Sequence, residues 1–296
     1  MASPNYEMFA AGVKAQRTDA TPTLEELRAG MVAMGQVLPV PDGTTVEPVD
    51  AGGVPAEWIR AANAGDERVV LYMHGGGYSI GCVDFVREFC SRLSSAADAR
   101  VLSLDYRQGP EHPFPAPVDD AVAAYRWLLA QGTDPATIVI SGESAGGGLT
   151  ISLLLALRDA GDPLPAGAVP ISPWLDMEGV REVSTEADES DLLTRTHLTL
   201  FADWFLGGDG DRRHPLANPL YADPKGLPPM LVLVGEREIL LDDAQRFTAN
   251  AQKAGVDVTL DVVPEMIHIW HVFGPMFPEA GQASDRVAEY VRKLTS

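Results

Sequence analysis

The segment GESAG, Gly142 to Gly146, stands between two apolar runs, TIVIS (137 to 141) before it and LTISLLLALRDA after it, the second ending at Gly161. The first run has the length and β-branched content of a buried strand. The second has the length of a helix, with glycine as its stop signal. A strand that becomes a helix within so few residues needs a sharp, strained reversal, and glycines on either side of the serine clear the space for it. The consequence is a serine hydroxyl, that of Ser144, raised above the end of a sheet. In α/β sheets the carboxyl ends of the strands are where sites are built.

The rest of the chain repeats this rhythm. RVVLYM (68 to 73) and RVLSLDY (100 to 106) read as short strands, and Val118, Val122, Tyr125 and Leu129 mark one helical face that Gly132 ends. AGAVPIS, MLVLVG and VTLDVVP supply further strands. Helical patterns lie around Leu198 to Phe205, around Ala244 to Ala254 and near Ser284 to Leu294. Ahead of them TLEE, Thr23 to Glu26, is a capping box with Leu24, Leu27 and Met31 behind it, weakened by Gly30 and Gly35. TTVEPVDAGGVPAEWIRA then reads as a β-rich stretch turning at AGG. Alternation of this kind predicts an α/β fold with a mostly parallel central sheet and helices on both faces. One interval breaks it: between SPWLDM (172 to 177) and NPLYADP (218 to 224) lie about forty residues without strand pattern, acidic first and then apolar in HLTLFADWFL. The expected division is therefore a core over 46–176 and 217–296, a cap insertion over 177–216 that roofs the site, and an N-terminal helical part of the cap over 1–45.

Composition narrows the partners. The 296 residues are 46% hydrophobic, too apolar for a disordered chain, and the net charge of -20 repels phosphate backbones and anionic headgroups. Nucleic acid and membrane are not expected as partners. Cys82 and Cys90 are the only cysteines, without metal-ligand spacing, and no metal or cofactor is implied. Glu7 interrupts the N-terminus where a signal peptide needs basic and apolar stretches, and no run of about 18 apolar residues occurs. A reduced, cytoplasmic setting is the expectation.

The chemistry gathers around Ser144. His74 to Gly77 reads HGGG at the end of the strand RVVLYM, and consecutive glycines let a backbone turn its amides inward, as a developing oxyanion requires. The alternative, a phosphate loop, would need a lysine and threonine or serine that are missing. If the order serine, acid, histidine holds, His197, His214, His268 and His271 qualify as base. His268 follows the strand VTLDVVP on its loop side and is preferred to its neighbour His271, and His197 and His214 read as surface residues. Glu236, Glu238, Asp242 and Asp243 follow MLVLVG as candidate acids, and the two aspartates stand where the next helix begins, so a helix N-terminal role accounts for at least one.

With HGGG, GESAGG, DYRQGPEHPFPAPVDD (105 to 120), SPWLD (172 to 176) and PEMIH in order, the chain resembles the bacterial hormone-sensitive lipase family of α/β-hydrolases from about Val69 onward. The resemblance implies Ser144 as nucleophile, His268 as base, an oxyanion hole from the amides of Gly76, Gly77 and Ala145, and a helical cap. The chain departs from the family at the acid. Where the family has aspartate in G-x-x-D-P-L-x-D, GEREILLD places Glu238, and Asp242 stands at the last position. Glu238 is the choice, with Asp242 as the alternative. Some members resembling lactone hydrolases carry this form.

The reaction implied is hydrolysis of short- to medium-chain neutral esters or lactones through an acyl-enzyme, with a small-molecule substrate and a homodimer as candidate assembly. Leu198, Leu200, Phe201, Trp204 and Phe205 either line an acyl pocket or pack the cap. The acidic run REVSTEADESD (181 to 191) suggests an acidic entrance that disfavours anionic substrates. The alternatives are a non-catalytic ligand receptor on the same scaffold, and an amide hydrolase. Cys82 reads either as a thiol bordering the site or as a packing residue.

Overall fold

Residues 2–16, 22–179, 181–208 and 210–296 are described in the computed structural model. Eight strands form one sheet in the order β1-β2-β4-β3-β5-β6-β7-β8. They are β1 (Thr45–Asp50), β2 (Pro55–Arg60), β3 (Val69–Met73), β4 (Arg100–Leu104), β5 (Ile138–Glu143), β6 (Gly167–Ile171), β7 (Met230–Gly235) and β8 (Val258–Val263). The hairpin β1-β2 is antiparallel and joins β4 antiparallel, whereas the pairs from β4 to β8 are parallel. Parallel neighbours need crossovers, and these are α3 (Val83–Ala97), α4 (Ala116–Ala130), α5 (Ala145–Ala160) and α8 (Leu241–Lys253), while β6 reaches β7 through the insertion and α9 (Pro278–Leu294) closes the chain.

Covering both faces is why β3, β5, β6 and β7 are buried along their whole length. Alternation sends Leu71 and Met73 of β3 into a core with α4, α5 and α8, and Val70 and Tyr72 into a second core with α3 and α9. The crossover α3 is the element the sequence reading passes over. Its signal is nonetheless present, since Val83, Val86, Phe89, Cys90, Leu93 and Ala97 fall at helical spacing and are buried. Truncating Phe89 to alanine there would cost about 3–5 kcal/mol.

The N-terminal helices rest on the loops above the carboxyl ends of the strands. In α1 (Pro4–Gln16) the hydroxyl of Tyr6 donates to Glu265 O and accepts from Ile267 N, both at 2.8 Å. In α2 (Leu24–Gln36) the capping box of Thr23 and Glu26 forms at the expected place. Its Arg28 pairs with Glu111 and donates to Ser79 O at 2.8 Å, beside the glycine-rich turn after β3. The 177–216 interval carries α6 (Thr185–Ser190) and α7 (Arg195–Leu206). The ring of Phe205 stacks on Tyr78 at 3.9 Å, and Phe201 lies against Gly77.

Candidate active site

The turn from β5 into α5 holds Ser144 at φ 57° and ψ −119°, a conformation that most side chains avoid. The chain can make it only where backbones approach closely. A Cβ on Gly146 would lie 1.9 Å from Met73 O, and one on Gly142 would lie 2.5 Å from the same oxygen, so β3 sits directly behind the turn. The neighbouring glycine-rich turn after β3 folds against the serine, for a Cβ on Gly75 would meet Ser144 Cβ at 3.0 Å. Gly76 and Gly77 follow at φ 98° and 59°, where a side chain is strained. Among the described residues the amides of Gly76, Gly77 and Ala145 donate to no protein acceptor. They are available to an incoming oxyanion.

The loops after β7 and β8 bring two further side chains to Ser144. His268 Nε2 is 2.9 Å from Ser144 Oγ, and His268 Nδ1 is 2.9 Å from Glu238 Oε2. The other oxygen of Glu238 accepts from Ser172 Oγ and from Gly235 N, each at 2.6 Å. All three members are nearly sealed from solvent, with exposures of 6% for Ser144 and 2% for Glu238 and His268. Burial pulls the His268 pKa down, but the Glu238 hydrogen bond and charge, with the charges of Asp191 and Glu143, outweigh it and leave it raised.

The other candidates are elsewhere. Asp242 pairs with Arg246 at 3.2 Å on the first turn of α8, and Glu236 accepts from Glu265 N at 3.0 Å. Asp243 begins the same helix but does more than meet its dipole. It accepts from Arg181 Nε at 2.8 Å and from the amides of Leu175 and Asp176 at 2.9 Å, fastening the start of the insertion to the core. His271 is fully buried edge-on to Phe89 at 4.7 Å, and burial holds it well below its ordinary pKa as a neutral packing residue. His197 stacks on Phe201, and His214 packs against Phe114. Cys82 precedes α3 half-buried, with its thiol pushed up by burial, which is the packing reading rather than that of a reactive thiol. Among the described residues no group of three or more His, Cys, Asp or Glu side chains is arranged to hold a metal ion.

Four polar residues around the site escape the sequence reading as site residues. Ser172, in SPWLD, bonds Glu238, and Glu143, inside GESAG, accepts from Gly75 N and from the Tyr72 hydroxyl. Tyr106 donates to His74 O at 2.7 Å, steadying the glycine-rich turn. Asp191 corrects the picture of an acidic entrance: Glu182 and Glu189 are exposed, but Asp191 is buried against the loops of Glu238 and His268. Ser172 and Glu143 lie inside recognisable motifs. Asp191 carries no local signal.

Comparison with known proteins agrees with this geometry. The model of a family described as the alpha/beta hydrolase fold matches residues 70–272. An acetyl-hydrolase of Streptomyces hygroscopicus is 47% identical over 260 residues, covering 87% of this chain and 85% of its own. A crystal structure of an esterase from the bacterial hormone-sensitive lipase family superposes with a TM-score of 0.95 at 45% identity, over 100% of both chains. One of the esterase EstE5, soaked with p-nitrophenyl butyrate, gives 0.94 at 42% identity over 99% of each. The chain thus belongs to the α/β-hydrolases and, among them, to the bacterial hormone-sensitive lipase family. It is a carboxylic-ester hydrolase. Among the described residues no helix is long and apolar enough to cross a membrane.

Proposed function

We propose that Ser144 is the nucleophile, His268 the general base and Glu238 the acid that orients it, with the amides of Gly76, Gly77 and Ala145 as oxyanion hole. The observation that carries this reading is the continuous chain from Ser144 Oγ through the His268 ring to Glu238, each link 2.9 Å. His268 Nε2 takes the serine proton as Oγ bonds to the ester carbonyl carbon, and the carbonyl oxygen becomes an anion held by the amides. Glu238 keeps the Nδ1 hydrogen in place and offsets the charge of the imidazolium. The imidazolium gives its proton to the departing alcohol oxygen, leaving the acyl group on Ser144. Water then attacks that acyl group by the same steps in reverse roles.

The substrate class is neutral, short- to medium-chain esters or lactones. Phe201 packed on Gly77 narrows the space beside the oxyanion amides, and the exposed Glu182 and Glu189 disfavour anions on the insertion. The acetyl-hydrolase relative is in keeping with a small acyl group. The helices α1 and α2 of the 1–45 stretch and α6 and α7 of the 177–216 stretch together form the cap, which Arg28, Tyr6 and Phe205 fasten to the core. The unpaired thiols of Cys82 and Cys90 suit the cytoplasm. A series of p-nitrophenyl esters from acetate to palmitate tests the substrate reading. Maximal kcat/KM is expected at eight carbons or fewer, and a maximum at twelve or more would overturn it.

A further inference from the structure

Asp191 stands at the C-terminal end of α6 in the insertion, fully buried, and its carboxylate reaches across to the core. Oδ1 accepts from His268 N at 2.7 Å and from Leu192 N at 2.8 Å, and Oδ2 accepts from Ile239 N at 2.8 Å. Ile239 directly follows Glu238. One carboxylate therefore holds the main chain of the base and the main chain next to the acid. The loops after β7 and β8 are also tied by Glu236 N to Val263 O and Arg237 N to Met266 O, each at 2.9 Å, but those bonds end before Glu238 and His268 are reached. Past that point, besides the bond between the Glu238 and His268 side chains, Asp191 joins the two main chains through charge-assisted bonds that are short and directional.

We infer that Asp191 is a positioning residue for the triad: the insertion supplies the carboxylate that sets the distance between the Glu238 and His268 loops, so seating the cap and aligning the base are one event. This rests on the triad reading proposed above. The groups facing Asp191 are His268 and Glu238 from the core loops and Tyr6 from α1, with Glu143 beyond His268. Burial pushes the carboxyl of Asp191 up to about 6, and its negative charge helps hold His268 above its ordinary value. A base displaced by as little as 1 Å loses about a hundredfold in rate without losing its substrate.

The test compares Asp191→Asn, Asp191→Ala and His268→Ala in the full chain. In Asp191→Asn the shape persists, but one lobe becomes a donor facing an amide. The expected result with p-nitrophenyl butyrate is a kcat lower by roughly 10- to 100-fold, a KM within about twofold, and an acid limb of kcat/KM moved to lower pH. The rate at which diethyl p-nitrophenyl phosphate inactivates Ser144 should fall in parallel. Asp191→Ala should lose more, and if it does not fold, Asp191→Asn carries the comparison. An unchanged kcat with an unmoved acid limb in Asp191→Asn, while His268→Ala is inactive, overturns the role of Asp191 alone. Turnover surviving in His268→Ala overturns the triad reading itself.

Discussion

Glu143, the residue just before Ser144, accepts the amide hydrogen of Gly75 through Oε1 at 2.5 Å. Its other oxygen accepts from the Tyr72 hydroxyl, so a single buried carboxylate joins the serine turn to the glycine-rich turn after β3. Relative motion of Ser144 and the amides proposed as oxyanion hole is thereby restrained.

That carboxyl makes stability depend on pH. Burial pushes its pKa up to about 7 from the ordinary 4.5, against the lowering effect of its hydrogen bonds. Folding therefore favours the protonated form. The contribution is fully present below about pH 4.5 and is lost as pH rises through about 7. Glu143→Gln cannot titrate. The unfolding free energy of the wild type should fall relative to Glu143→Gln by about 3 kcal/mol between pH 4 and pH 8, measured by urea denaturation. Parallel curves for the two proteins would contradict this.

The acid assignment separates on a paired substitution. Glu238→Gln leaves the shape but presents a donor to His268 or Ser172, and kcat should drop by about 10²–10⁴-fold. Asp242→Asn disturbs only the pair with Arg246 and should stay within about twofold. A larger loss in Asp242→Asn would reverse the assignment. Steady-state kinetics with p-nitrophenyl butyrate decide it.

The insertion is fastened by a buried ion pair, Arg181 with Asp243, exposed by only 4% and 0% at their side chains. Removing the cation strands a buried carboxylate whose pKa burial already raises. Arg181→Met should destabilise the protein by about 3–5 kcal/mol in urea titration at pH 8. Less than about 1 kcal/mol would mean that the amides of Leu175 and Asp176 suffice.

Features legible in the sequence share one property: a short segment dictates them. Gly142, Ser144 and Gly146 announce the strained turn because nothing larger fits there, and the alternating apolar runs announce the parallel sheet. His268 and His271 were separable only weakly, since three residues of loop decide which ring meets Ser144 and which is packed on Phe89. Glu238 stands out only with the help of a family pattern, because spacing alone leaves four acids after β7. Asp191 was not legible at all. In REVSTEADESD only the tertiary fold turns Asp191 inward, and charge patterning reads the run as solvent-facing. The double duty of Asp243 was hidden in the same way, since its partner Arg181 lies 62 residues away.

Ser144, driven by His268, is proposed to carry the acyl group. Ser144→Ala measured with p-nitrophenyl butyrate, together with intact mass of both proteins after rapid acid quench, tests it most directly. The expected result is a kcat lower by about 10⁶-fold and an acyl mass increment on the wild type that is missing from Ser144→Ala. Turnover within about tenfold of the wild type, or the same increment on Ser144→Ala, would contradict it.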